Sequence, residues 1–149
     1  MLKKTLAAAL FLAAGSAAAA DSDLSISQLA TAQSTKAEFA RMVEGHKLPA
    51  WVTKGGTRTG TKEVQLGENR YLVLESCKPH DCGSERIAVL YSPKLKRMMG
   101  LYSTVDEAKS IETLTWLNVG DAESIDGKTV LYAALTGSLE NHPDAFSFK

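Results

Sequence analysis

The residues of this sequence that could do chemistry are concentrated between two cysteines. Cys77 and Cys82 are the only cysteines in the 149 residues. The four residues between them supply a cation, a rigid ring, an imidazole and a carboxylate, in the order Lys78, Pro79, His80 and Asp81. Side chains of these types could support thiol–disulfide exchange, hold a metal ion or bind a partner protein.

The spacing of the two cysteines disfavours a redox centre. Thiol–disulfide oxidoreductases use Cys-x-x-Cys at the start of a helix, where the helix dipole lowers the pKa of a thiol. Here four residues intervene, and strand-like segments flank the pair. A small exported enzyme that uses Cys77, Cys82 and His80, in redox or other chemistry, stays the alternative interpretation.

A metal site is also disfavoured, although Cys77, His80, Asp81 and Cys82 are suitable ligand types. Asp81 and Cys82 are adjacent, so they would converge poorly on one ion with Cys77, and no second ligand pair lies nearby in the sequence. We expect neither a metal nor a cofactor. No nucleophile elbow or glycine-rich phosphate loop is found, so we also expect no catalytic residues.

The first twenty residues indicate export. A basic start with Lys3 and Lys4 precedes an apolar stretch, residues 6–14, and a small-residue run, residues 17–20. This order is typical of a secretory signal peptide, residues 1–20, with cleavage after Ala20, and the stretch is shorter than the roughly 20 residues of a membrane anchor. Residues 21–149 then form one mature domain.

The mature domain is close to electrical neutrality. The sequence has 17 basic and 17 acidic residues, and removal of Lys3 and Lys4 leaves a net charge of about −2. Nucleic acids and anionic membranes attract strongly basic surfaces. We therefore expect neither of them as a partner.

In an exported protein, two cysteines this close are expected to form a disulfide. Closing so small a ring contributes about 2 kcal/mol in the chain-entropy model, so the Cys77–Cys82 bond should shape the loop more than hold the domain. Two interpretations remain open at this point. The loop is either a hairpin staple without further function, or a stiffened segment that presents Lys78, His80 and Asp81 to a partner at low entropic cost.

Hydrophobic patterning predicts an α+β fold with an antiparallel sheet of about five strands flanked by helices. The predicted strands are residues 61–66, 71–75, 87–91, 98–102 and 114–119, with turns around residues 67–69 and 92–94. The cysteine loop connects the second and third of these strands. We expect it to stand off the sheet edge as a rigid protrusion.

Helical spacing predicts two of the flanking helices. One begins after Thr35 as N-cap, with Glu38 as its capping-box partner, and ends at Gly45. Its core-facing residues are predicted to be Phe39, Met42 and Val43. The second ends at Gly137, and its core-facing residues are predicted to be Ile125, Val130, Leu131, Ala134 and Leu135.

The cysteine loop, followed by Gly83, resembles the characteristic motif of the Ivy family, the inhibitors of vertebrate (c-type) lysozyme. The similarity extends in order along the mature chain, over residues 45–52, 86–89, 114–118, 124–131 and 133–144. Within the loop there is no departure from the family motif.

This resemblance implies a periplasmic inhibitor and a homodimer. It implies that His80 enters the active-site cleft of a c-type lysozyme, between the catalytic carboxylates, with Lys78, Pro79 and Asp81 around it and the disulfide Cys77–Cys82 at the base. It further implies evasion of host defence and restraint of the bacterium's own lytic transglycosylases, which cleave the same peptidoglycan glycan.

Overall fold

An antiparallel sheet forms the centre of the computed structural model, which describes residues 24–149. Its strands are β1 (Thr57–Arg58), β2 (Lys62–Leu66), β3 (Asn69–Cys77), β4 (Glu85–Ser92), β5 (Arg97–Asp106) and β6 (Ile111–Leu117). The helices are α1 (Ile26–Thr31), α2 (Lys36–Met42), α3 (Trp51–Lys54), α4 (Asp126–Thr136) and α5 (Ser138–Asn141). The predicted α+β class is confirmed, whereas the predicted signal peptide, residues 1–20, lies outside the described residues.

The strand order is β1-β3-β4-β5-β6, and β2 also pairs with β3. Every pairing is antiparallel, so β3 to β6 form a meander of consecutive strands. The long strand β3 carries β2 along its first part and β1 along its last two residues, Ser76 and Cys77. Each of the five predicted strands overlaps an observed one, and the prediction missed only the two-residue strand β1.

Both faces of the sheet are covered, which explains the continuous apolar runs in its central strands. On one face, α1 to α3 pack against side chains such as Leu72, Leu74 and Val89. On the other face, α4 and α5 pack against Val73 and Leu90. Alternate residues of β3 and β4 therefore enter opposite cores, and both sets must be apolar.

Helix α2 begins after Thr35 as predicted, but the predicted capping box is wrong. The Thr35 hydroxyl is buried and donates a 2.8 Å hydrogen bond to the carbonyl of Leu29, near the end of α1. Glu38 instead forms an ion pair with Arg41 at 2.8 Å. The tight α1–α2 connection leaves a helix-end carbonyl without an intrahelical partner, and Thr35 satisfies it. The core positions Phe39 and Met42 are buried as predicted.

Helix α4 packs as predicted except at its start. Ile125 precedes the first helical turn and is 77% exposed, so its predicted core position is wrong. The other predicted core residues are buried: Val130, Leu131, Ala134 and Leu135. Gly137 ends the helix with φ of +79°, a conformation that glycine adopts without steric cost.

The cysteine loop connects β3 and β4, which are both interior strands of the sheet. It therefore projects from the end of the sheet, and the predicted position at a sheet edge is wrong. The sequence could show that two strands flank the loop, but strand order depends on pairings between distant segments.

None of the helices within residues 24–149 combines the length and apolar character that a membrane crossing requires.

Candidate functional site

The cysteine loop begins with a tight turn over Lys78, Pro79, His80 and Asp81. The Asp81 amide donates a 3.0 Å hydrogen bond to the Lys78 carbonyl, which closes the turn. Proline in the second position and a positive φ in the third are characteristic of a type II turn. The Lys78 amide donates a 3.0 Å bond to the Glu85 carbonyl, so the β3–β4 ladder continues up to the base of this turn.

A second turn, Asp81 to Ser84, leads back into β4. Its closing hydrogen bond joins the Ser84 amide to the Asp81 carbonyl at 3.2 Å. The neighbouring strand β5 supports this turn, because the Val105 amide donates a 2.8 Å bond to the Ser84 carbonyl. The Cys77–Cys82 disulfide is formed as predicted, with a Cα–Cα distance of 4.8 Å. Two turns, one crosslink and one neighbouring strand therefore restrain the loop.

His80 occupies the most demanding backbone position of the loop. Its φ is +63°, in the left-handed region, and its side chain is exposed. Most residues with a β-carbon avoid this region, although histidine tolerates it better than β-branched residues do. Within residues 24–149 the exposed imidazole makes no hydrogen bond or ion pair, so both ring nitrogens are available to a partner.

Lys78 and Asp81 pair with each other across the first turn. The Lys78 ammonium lies 3.3 Å from a carboxylate oxygen of Asp81 and 3.0 Å from Oε1 of Glu85. Hydrogen bonds, first from Ser84 and then from Lys78, lower the pKa of Asp81. Hydrogen bonds to Glu85 and Asp81 raise the pKa of Lys78. The side chains of Lys78, Asp81 and Glu85 are therefore all charged at neutral pH.

Glu85, the first residue of β4, supports the loop from below. Its Oε2 accepts a 2.9 Å bond from the indole N–H of Trp51 and a 2.7 Å bond from the hydroxyl of Tyr102, while Oε1 binds Lys78. The bonds from Trp51 and Tyr102 lower the pKa of Glu85. Burial, followed by the bond to Glu85, raises the pKa of Tyr102 far above its usual value. We call Trp51, Glu85 and Tyr102 the carboxylate support.

Cys77 and Cys82 are bonded to each other, and in the part of the chain described here neither is a free thiol. Within residues 24–149 no three side chains of His, Cys, Asp or Glu lie close enough together to hold a metal ion. What the loop offers is an imidazole on a restrained protrusion.

Sequence reasoning found the loop and missed the carboxylate support. The three side chains come from α3, β4 and β5, and Trp51 lies 34 residues from Glu85. Tyr102 follows Glu85 by 17 residues in the sequence. In the sheet it lies opposite Ile87, two positions along β4 from Glu85, so its side chain is on the same face as that of Glu85. Only the alternation of side chains along β4 and β5, once their pairing was known, could have pointed to that contact.

A stiff, exposed loop at the end of a well-packed sheet is typical of proteins that present a preformed binding segment to a partner. Comparison with known proteins identifies the group to which this one belongs. The family model described as "Inhibitor of vertebrate lysozyme (Ivy)" matches residues 34–119, which contain both the loop and the carboxylate support.

Known relatives agree with this match. A protein of Escherichia coli K12 named "Inhibitor of vertebrate lysozyme" is 60% identical over 149 residues, which is 100% of this chain and 95% of the relative. An uncharacterized protein of Yersinia pestis is 34% identical over 118 residues, 73% of this chain and 72% of that one. A Pseudomonas aeruginosa protein with the same name as the first is 32% identical over 68 residues, 44% of each chain.

The chain therefore belongs to the Ivy family. This confirms the resemblance found from the loop motif. It also confirms the predicted class, an enzyme inhibitor rather than an enzyme.

Proposed function

We propose that this protein is a periplasmic inhibitor of c-type lysozyme, which it blocks by inserting the Cys77–Cys82 loop into the active-site cleft. His80 would lie between the two catalytic carboxyl groups of the enzyme. Family membership supports lysozyme as the partner, and the loop geometry supports the mode of binding.

The observation that carries this proposal is the placement of His80. It stands exposed on a turn that is closed by hydrogen bonds on both sides and crosslinked at its base. A segment already held in its binding conformation loses little conformational entropy in the complex. An exposed imidazole on such a segment has the properties of a central binding residue.

The chemistry of the enzyme explains why histidine suits this position. A retaining glycosidase uses a protonated carboxylic acid and an ionised carboxylate about 5 Å apart. Imidazole has a nitrogen on each side of its ring, and it can hydrogen-bond to both groups at once. A protonated ring adds a charge-assisted bond to the ionised carboxylate. The ring would occupy the place of the scissile sugar linkage.

The pairing of Lys78 with Asp81 changes the roles expected of these two residues. If these side chains were unpaired, the Lys78 ammonium would be attracted to an acidic cleft of the enzyme, and the Asp81 carboxylate would be attracted to basic residues around that cleft. In the structure their charges compensate each other at 3.3 Å, and Lys78 is also bound to Glu85. We therefore assign both side chains mainly to holding the turn, with direct contact to the enzyme as a secondary role.

Residues 1–20 as a signal peptide, cleaved after Ala20, would deliver residues 21–149 to the periplasm. There the protein would meet lysozyme that crosses a damaged outer membrane, which is a route to evasion of host defence. The bacterium's own lytic transglycosylases cleave the same glycan, and they are the second target that family resemblance suggests.

The implied homodimer stays a prediction that sedimentation equilibrium would test.

The decisive experiment titrates the mature protein against a c-type lysozyme and follows clearing of a cell-wall suspension. We expect stoichiometric, reversible inhibition with no turnover of any substrate. A parallel titration against a purified lytic transglycosylase tests the second target. Activity in an insulin-reduction assay, together with undiminished lysozyme activity, would instead support the exported redox enzyme.

A further inference from the structure

The carboxylate of Glu85 is the point where the loop meets the body of the domain. We propose that Glu85 is a positioning residue of the inhibitory loop, which holds His80 in its binding orientation by acting through Lys78. This inference rests on the proposed function, and it assigns a role to a residue outside the loop motif.

The contacts of Glu85 come from three separate parts of the fold. Trp51 in α3 and Tyr102 in β5 donate to one oxygen, at 2.9 and 2.7 Å, and Lys78 in the loop binds the other at 3.0 Å. The Glu85 side chain is only 21% exposed, so these bonds are partly shielded from water. Hydrogen bonds of this charge-assisted kind are stronger than neutral ones.

Lys78 transmits this anchoring to the turn that carries His80. Its ammonium lies between Glu85 below the loop and Asp81 at the far end of the turn. His80 and Pro79 are the two residues enclosed by the Lys78–Asp81 pair. Because the ammonium is fixed from below by Glu85, the turn is held at both of its ends and not only by its backbone hydrogen bond.

The support requires a carboxylate in particular. If an amide replaced it, the single carbonyl oxygen could still accept from Trp51 and Tyr102, but its NH₂ group would then face the Lys78 ammonium. Because two hydrogen-bond donors in contact repel each other, the Lys78 ammonium would move away from residue 85. It would keep only its 3.3 Å contact to Asp81. The backbone bond from the Lys78 amide to the Glu85 carbonyl does not involve the side chain and would remain.

The test compares Glu85→Gln with the wild-type protein in two measurements. The first is the inhibition constant against a c-type lysozyme, which we expect to rise roughly tenfold, as for a lost charge-assisted hydrogen bond. The second uses the free protein, where the NMR order parameters of the His80 and Asp81 amides should fall from about 0.85 toward 0.6. Amides of the buried β4 and β5 positions should keep their values.

A matched control is Glu63→Gln. Glu63 is also a strand carboxylate in a short ion pair, with Arg70 at 2.6 Å, but it lies on β2 and does not contact the loop. This variant changes the net charge by the same amount. We expect it to leave both the inhibition constant and the order parameters of the loop unchanged.

A second comparison tests the route through Lys78. In a Lys78→Met background, the additional change Glu85→Gln should alter the inhibition constant by no more than about twofold, because coupled residues are non-additive. An undiminished tenfold effect in that background would overturn the route. If Glu85→Gln does not fold, the single variant Lys78→Met removes the same ion pair from the loop side and leaves the carboxylate support unchanged, and the same loss of loop order is expected.

Unchanged order parameters at His80 and Asp81 overturn the positioning role, whatever happens to inhibition. A wild-type protein that fails to inhibit lysozyme overturns the proposed function instead. The two failures are distinguishable because the order parameters are measured in the absence of any enzyme.

Discussion

The hydroxyl of Tyr102 donates a 2.7 Å hydrogen bond to Oε2 of Glu85, and this links the third strand of the meander to the base of the cysteine loop. The same oxygen accepts a 2.9 Å hydrogen bond from the indole of Trp51 in α3. The loop is therefore supported by the tertiary structure as well as by its own disulfide.

His80→Ala removes the imidazole and should weaken inhibition of a c-type lysozyme by about 2 kcal/mol or more, the usual loss at a central binding residue. The inhibition constant in a cell-wall clearing assay measures it. His142→Ala is the matched control, because His142 is an exposed histidine outside the loop. Equal inhibition by wild type and His80→Ala would rule out His80 as the inserted residue.

The left-handed backbone at residue 80 predicts an order of stability between two variants that both lack the imidazole. Asparagine tolerates a positive φ, whereas a β-branched residue does not. His80→Val should therefore have a free energy of unfolding about 1 kcal/mol lower than His80→Asn. Urea denaturation measures both values, and equal stability would mean that φ of residue 80 is not +63° in solution.

Reduction of the Cys77–Cys82 disulfide should weaken inhibition without unfolding the domain. The bond closes a ring of six residues and contributes about 2 kcal/mol at most, whereas two cores on opposite faces of the sheet hold the fold. Circular dichroism of the reduced protein should match that of the oxidised protein, while the inhibition constant rises. Loss of the sheet signal on reduction would show that the bond is a global staple.

The lowered pKa of Glu85 predicts a pH dependence of stability. Because the folded-state pKa lies below the unfolded value of about 4.3, the carboxylate stabilises the fold above that value, and this contribution is lost as the pH falls through the folded-state pKa. The difference in unfolding free energy between wild type and Glu85→Gln should be largest at neutral pH and shrink below about pH 4. A difference that grows on acidification would contradict the assigned direction.

Gly56, just before β1, lies against the end of β3 at the base of the loop. A β-carbon at this position would come within 2.5 Å of the Cys77 carbonyl and 2.9 Å of the Trp51 ring, so Gly56→Ala should cost about 1–3 kcal/mol of stability. Gly60→Ala is the control, since a β-carbon there meets nothing within 4 Å. Thermal unfolding of the two variants tests the difference, which should clearly favour Gly60→Ala.

Much of this protein could be predicted from local patterns. The spacing of Cys77 and Cys82 predicted the disulfide, and apolar runs bounded by turn residues located all the strands except β1. Thr35 was correctly predicted as the N-cap of α2, but its predicted capping box failed because a buried carbonyl from another helix competed for its hydroxyl. Ile125 was assigned to the core by helical spacing, although the helix begins one residue later.

By itself, the sequence determined the fold class, the crosslinked loop and the family, because each depends on residues that are near neighbours in the chain or on a motif read in order. Only the tertiary structure decided that the loop projects from the end of two interior strands, that residue 80 has a positive φ, and that Trp51 and Tyr102 meet Glu85 beneath it. The physical reason is that strand order and register juxtapose residues far apart in sequence, and no local propensity encodes which carboxylate will receive which donor.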